Sequence, residues 1–396
     1  MPSWLPILLG FLTAIGPIST DMYLPAFPAI EASFGTETGT AQITLATWFI
    51  GLAVGQITQG TLADRFGRRG PLLVGTLIYT AGSIGCALAP DLATLAAFRC
   101  VAAFGGSASM VIPRAVVRDV SEGLGATRLM SRLMLVSGVA PILAPSLGGL
   151  LLGVADWRAI FWVAALYGVV SCVIVWWKLP DTLAPQNRVS LGVVSLLARY
   201  ADILRDPTFL THMLMGGFMM FLMFAYLGGA PGVFIEIFQV SPQLFGALFG
   251  VNAVGFIGMS QLNPYLVGRF GGGKVISWGS RVSALAVLVL LFVSITGPFG
   301  LLSVFGPIFV AVASSSLVLP NSAVGALARQ AMRAGSASAL MGTLQFALAA
   351  SASLVVGLLS DGTVRPLAIT MLIGVSGALV SDLFRRRALR RLAVTG

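Results

Sequence analysis

The sequence predicts an all-α membrane protein of twelve transmembrane helices, arranged as two six-helix halves with both termini cytoplasmic. Three observations predict it. Apolar runs long enough to cross a hydrocarbon core, about 20 residues each, recur along almost the whole of the 396-residue chain. Only 10% of the residues are charged and 57% are hydrophobic, against about 25% charged in a soluble domain. The basic residues behind the net charge of +10 sit in loops on one side of the membrane, as the positive-inside rule expects, so nothing points to nucleic acid as a partner.

The spans read as 4–27, 42–63, 71–89, 94–116, 132–154, 157–178, 208–234, 243–267, 274–296, 300–326, 336–359 and 364–384. With the N-terminus inside, Arg158 and Arg365 fall outside, Arg99 and Arg281 lie within spans, and the other Lys and Arg residues stand at or beyond the inner ends. The longest polar segment, about Leu179–Pro207, divides the chain into an N-terminal bundle (1–180), a cytoplasmic linker (181–207) and a C-terminal bundle (208–396) with a basic tail. Within the linker, Ser195 to Asp206 reads as a short interfacial helix with basic residues towards lipid headgroups.

Span 1 carries Asp21, and the first residues lack the basic n-region of a signal peptide. An ionised group within the bilayer is costly and marks function. Asp21 lies about 8 Å to the outer side of the midplane, at about 1.5 Å per residue. Span 2 supplies Trp48 and ends in Gly60-Thr61-Leu62-Ala63-Asp64-Arg65-Phe66-Gly67-Arg68-Arg69. Its glycines permit a tight turn between antiparallel helices, and Asp64 can accept from Arg side chains or from a helix N-terminus. A purely topological basic signal explains the arginines but not the acid or the glycine spacing.

Span 4 runs inward and places Arg99 at about the same depth as Asp21, followed by Gly105 and Gly106. The two charges are expected to meet, either as a structural pair pinning helices 1 and 4 or as a titrating site in which desolvation and a nearby guanidinium pull the carboxylate pKa in opposite directions. Span 5 holds Gly138, Pro141, Pro145, Gly148 and Gly149. Prolines invite kinks and glycines admit a neighbouring helix, so a hinge or gate is expected there. Cys86, Cys100 and Cys172 are scattered through spans and suggest packing, not a disulfide or a zinc site.

Span 7 is rich in Met and Phe, including Met215, Phe218 and Met219. Methionine suits an adaptable pocket, and lipid-facing packing is the alternative. His212, the only histidine, reads as an interfacial anchor at the inner end of this span. The amides Asn252, Gln261, Asn321 and Gln345 either line a cavity or join helices. Arg269-Phe270-Gly271 after span 8 repeats Arg65-Phe66-Gly67 after span 2 at an offset of 204 residues, which points to duplicated halves.

One His, no clustered acids and no Cys pair leave metal or nucleophilic enzyme chemistry few candidates. Gly271-Gly272-Gly273-Lys274 lacks the spacing and the following Ser/Thr of a phosphate-binding loop. No cofactor or metal is expected.

The Gly60–Arg69 loop resembles the signature loop of the major facilitator superfamily, and Arg99–Gly106 resembles the Arg-containing motif of its fourth helix. Ala144-Pro145-x-x-Gly148-Gly149 resembles its helix 5 antiporter motif. Three further segments resemble the Bcr/CflA drug-resistance transporters: Ile18-Ser19-Thr20-Asp21-Met22-Tyr23-Leu24-Pro25, Leu319-Pro320-Asn321-Ser322 and Gly335–Phe346. The resemblance implies the major facilitator fold and a monomeric proton antiporter of a bacterial inner membrane. Its cargo would be small amphiphilic antibiotics such as bicyclomycin or chloramphenicol. Asp21 would take part in proton or substrate binding, tuned by Arg99. Tyr23, Trp48, Met215, Phe218, Met219, Asn252 and Gln345 would be cavity candidates, and the loop residues Gly60, Asp64, Arg65, Gly67 and Arg68 a latch near Gly335 and Ser336. Gly268 stands at the position equivalent to Asp64, so the latch is expected to be asymmetric. A metabolite exporter of the same superfamily is the alternative.

Overall fold

The computed structural model describes residues 4–120, 143–188, 193–297, 299–330 and 333–395, and every regular element among them is helical. In chain order the α-helices are α1 (Leu5–Thr13), α2 (Ile15–Thr20), α3 (Phe27–Phe34), α4 (Gln42–Phe66), α5 (Arg69–Leu88), α6 (Leu92–Val120), α7 (Leu143–Leu152), α8 (Arg158–Lys178), α9 (Val193–Leu204), α10 (Pro207–Pro231), α11 (Pro242–Phe270), α12 (Gly272–Thr296), α13 (Leu301–Leu327), α14 (Ala334–Leu358) and α15 (Arg365–Thr395), and a π-helical turn, Gly232–Ile237, follows α10.

Ten helical stretches among the described residues are long and apolar enough to cross a bilayer. The expected second span forms the 25-residue helix α4, which is not in that set. Of the expected fifth span, only α7 lies within the described residues. Gly138 and Pro141 lie outside them.

The chain divides into two compact units. The first comprises Met1–Ser190 with Ser241–Gly250, and the second Leu191–Val240 with Val251–Gly396. In the first, α6 packs against α4 and α5, and α5 against α8. Small residues allow this close approach: a side chain at Gly51 would meet the Cys100 carbonyl, and one at Gly82 would meet Ala102. Leu9, Leu12, Leu72, Ile112, Val116 and Val175 form its apolar core. In the second unit, α10 packs against α13, α14 and α15, and α12 joins α13 and α15. Leu166, Trp177, Leu285 and Phe292 are exposed on the outward helix faces, as a hydrocarbon solvent requires.

Two features depart from the expected pattern. Span 1 is broken: α2 ends at Thr20, a turn covers residues 21–23, and Leu24–Ala26 form a 3₁₀ turn before α3. Pro25 and Pro28 lack the N–H that a continuous helix needs. Beyond the expected end of the last span at 384, the basic tail continues α15 to Thr395. Ala, Leu and Arg are strong helix formers, and Arg386 pairs with Asp382 one turn back at 2.9 Å.

Candidate functional site

Three sequence-selected residues, Asp21, Tyr23 and Arg99, gather in the first unit around the break in span 1. The backbone N–H groups of Asp21 and Met22 both donate to the Pro17 carbonyl, at 2.8 and 3.3 Å. This halts the regular ladder and turns the Asp21 side chain inward. Asp21 is only 6% exposed, and its carboxylate accepts from the Thr20 hydroxyl at 3.0 Å.

The expected ion pair does not form. Arg99, 2% exposed, donates from Nη1 to the Ser19 carbonyl at 2.8 Å. Its guanidinium lies over the Tyr23 ring at 4.1 Å and the Trp48 ring at 4.4 Å. Ring faces stabilise a desolvated cation by roughly 2 kcal/mol and take the place of the missing carboxylate. Tyr23 is held by a 2.8 Å hydrogen bond with Thr44, and Ser19 by one of 2.7 Å with Tyr79. Arg99, Tyr23, Trp48, Ser19, Ser83 and Cys86 line a small cavity, with room for about one water molecule.

From span 5, Gly148 packs onto the Met22 carbonyl so closely that a Cβ would collide with it. Its neighbour Gly149 faces Pro242, whose carbonyl would lie 2.5 Å from a Cβ. Gly148 of the helix 5 motif thus presses directly on the turn that carries Asp21. Sequence reasoning placed neither this contact nor the Ser19 and Tyr79 partners. Glu31, also not singled out, is buried, and its Oε1 accepts from the Gly39 and Ala41 amides at 3.0 and 2.8 Å, fixing the loop before α4.

The loop between α4 and α5 forms a second cluster. Arg68 donates to Asp64 at 2.5 Å and to Asp119 at 2.8 Å, while its backbone N–H donates to Asp181 at 2.8 Å. Burial works against the Arg68 charge, yet Asp119 and Asp64 outweigh it and raise its pKa above the ordinary guanidinium value. Gly67 has φ +90° and is packed against the Asp181 carboxylate. Arg65 instead stacks on Phe66, and Gly60 faces Val111. Asp119 and Asp181 follow spans 4 and 6, and their acidity at those inner ends was the available signal.

The remaining candidates belong to the second unit. Met215, Met219 and Asn252 are buried, and Asn252 donates to the Tyr226 hydroxyl at 3.0 Å. Gly216, on α10, faces Ser322 and the Gln345 amide. Phe218 is not part of that group: it packs on Gly374 and Gly377 of α15. His212 is not an interfacial anchor either. It is buried, its ring packs against Gly325, and Nδ1 donates to the Thr208 carbonyl at 2.8 Å.

The sequence pattern described as Major Facilitator Superfamily matches residues 9–354. The chain is 35% identical over 382 residues to the uncharacterized MFS-type transporter YdgK of Bacillus subtilis, covering 95% of this chain and 94% of that one. It is 28% identical over 367 residues to the bicyclomycin resistance protein homolog of Haemophilus influenzae, covering 92% and 91%. Among solved structures, the xylose transporter XylE from E. coli superposes with a TM-score of 0.75 at 13% identity, covering 98% of both chains.

Proposed function

The chain belongs to the Major Facilitator Superfamily and is therefore a membrane transporter, not an enzyme; from that premise we propose that it is a drug/proton antiporter of a bacterial inner membrane. It exports small amphiphilic antibiotics such as bicyclomycin or chloramphenicol by alternating access of its two halves, as a monomer of twelve spans. The relative named for bicyclomycin resistance supports the substrate class.

One observation carries the coupling role. Asp21 is a buried carboxylate in a break of a membrane span, with no cationic side chain within 4 Å among the described residues. An unpaired carboxylate in such a place is costly when ionised. It is readily neutralised by a proton and re-ionised when water or a polar ligand reaches it. Thr20 steadies the carboxylate, and Arg99 is held on the Ser19 carbonyl two residues away, not in a salt bridge with Asp21. Gly148, pressed on the Met22 carbonyl, links movement of span 5 to the geometry of Asp21.

The test uses inside-out vesicles acidified by respiration, with a pH-sensitive dye. Adding chloramphenicol or bicyclomycin releases protons from vesicles carrying the wild-type protein and not from those carrying Asp21→Asn. Release that persists in Asp21→Asn moves the exchange centre elsewhere. Absence of release with any drug favours export of a small metabolite.

A further inference from the structure

A groove of about 470 Å³ runs between α10 and α15 in the second unit, apart from the Asp21 turn and its cavity. Leu210, Leu214 and Phe218 form one wall, and Gly377, Val380 and Phe384 the other. At Gly377 the Phe218 ring packs directly on α15, where any Cβ would run into it. Three hydroxyls also line it: Thr211 and Ser381 each donate to a carbonyl of their own helix, Pro207 and Gly377, at 2.7 Å, and Ser376 is exposed. With two of the three hydroxyls engaged within their own helices, the wall is mainly apolar. Val380 and Phe384 are exposed, so the groove opens outward.

Its length and its charge identify an occupant. From Pro207 to Phe218 the groove follows eleven residues of helix, about 16 Å at about 1.5 Å per residue. That is about half of a 30 Å hydrocarbon core, the depth of one leaflet. At the Pro207 and Phe384 end the helices give way to cations. Arg387 lies over the Phe384 ring at 6.0 Å. Lys274 is exposed next to Gly273, whose carbonyl accepts from Arg385 at the same end of α15. Among the described residues neither Arg387 nor Lys274 has a carboxylate within 4 Å.

The nearby acids are already engaged. Asp382 binds Arg385, Arg386 and Ser277. Asp206 accepts from the Thr208 amide and from Gln330. Asp202 pairs with Arg333 and, at 4.0 Å, with Arg205.

We propose that this groove is a binding site for one anionic phospholipid, an acyl chain lying between α10 and α15 and the phosphate meeting Arg387 and Lys274. A cation at a membrane surface favours an anionic headgroup by about fivefold, so the pair makes the site selective where the apolar wall alone would not.

The test is native mass spectrometry of the full-length protein released from nanodiscs holding equal phosphatidylglycerol and phosphatidylcholine. The wild type retains one phosphatidylglycerol in preference to phosphatidylcholine. Arg387→Gln and Lys274→Gln each lower that preference about fivefold, without loss of melting temperature. Ser376→Trp, which fills the groove, removes retention of both lipids. Equal retention of the two lipids by the wild type overturns the proposal. So does a preference that survives the double charge variant, and because both cations are exposed, that measurement decides even if Ser376→Trp does not fold.

Discussion

At the scale of single residues, the repeat pair Gly67 and Gly271 separates two demands that sequence alone merges. Both have positive φ, +90° and +83°, in a region open essentially to glycine. At Gly67 the Asp181 carboxylate also occupies the space of a side chain, whereas nothing lies within 4 Å at Gly271. Gly67→Ala therefore costs more than the roughly 1–3 kcal/mol of backbone strain, and Gly271→Ala only about that strain. Melting temperatures of the two purified variants measure the difference. Arg99 shows the limit of reading residues one at a time. Its presence in an apolar run marked it at once, but its partners are a backbone carbonyl and three ring faces, those of Tyr23, Trp48 and Phe161. Neither kind of partner leaves a charge pattern, so the apparent match with Asp21 pointed to the wrong pairing.

At the scale of elements, hydropathy located the helices well because each must bury its own backbone polar groups in lipid. What it could not locate were interruptions and extensions that depend on local hydrogen bonds. α15 is the clearest extension. Asp382 and Arg385 are both buried and bonded at 2.6 Å, with Ser277 completing the cluster. Removing one partner of such a pair costs about 3–5 kcal/mol. Asp382→Ala should accordingly lower the melting temperature sharply, while Ser277→Ala lowers it less. α6 offers a pH-dependent case. Asp91 accepts from the Thr94 amide at 2.7 Å and from its hydroxyl at 3.0 Å, and these bonds lower its pKa. Its folded pKa lies below the unfolded value of about 3.9, so the contribution is present above that pH and lost as pH falls through the folded pKa. The stability gap between wild type and Asp91→Ala should thus be constant near neutrality and close under acid conditions, as followed by circular dichroism.

At the scale of the whole molecule, the internal repeat was legible from three residues because the turn they make is geometric: both copies place glycine where φ must be positive. The surroundings of the two turns were not legible, since they differ in sign. Asp181 accepts from the amide of Arg68 in one copy, and Arg385 donates to the carbonyl of Gly273 in the other. The orientation expected from the basic loops has a direct check. A single cysteine at Phe299, 85% exposed between α12 and α13, in a cysteine-free background, should react in intact cells with a membrane-impermeant maleimide. One placed at the C-terminus should react only after permeabilisation. The reverse pattern would invert the topology.

The broken first span has a consequence in time as well as in space. Between Asp21 and Ala26 the amides are held by few and partly long bonds, such as Leu24 N–H to the Asp21 carbonyl at 3.4 Å, while α5 and α6 of the same unit are unbroken. Deuterium uptake should therefore be fastest in the middle of a segment that lipid would otherwise shield, and its rate should report how often water visits the carboxylate.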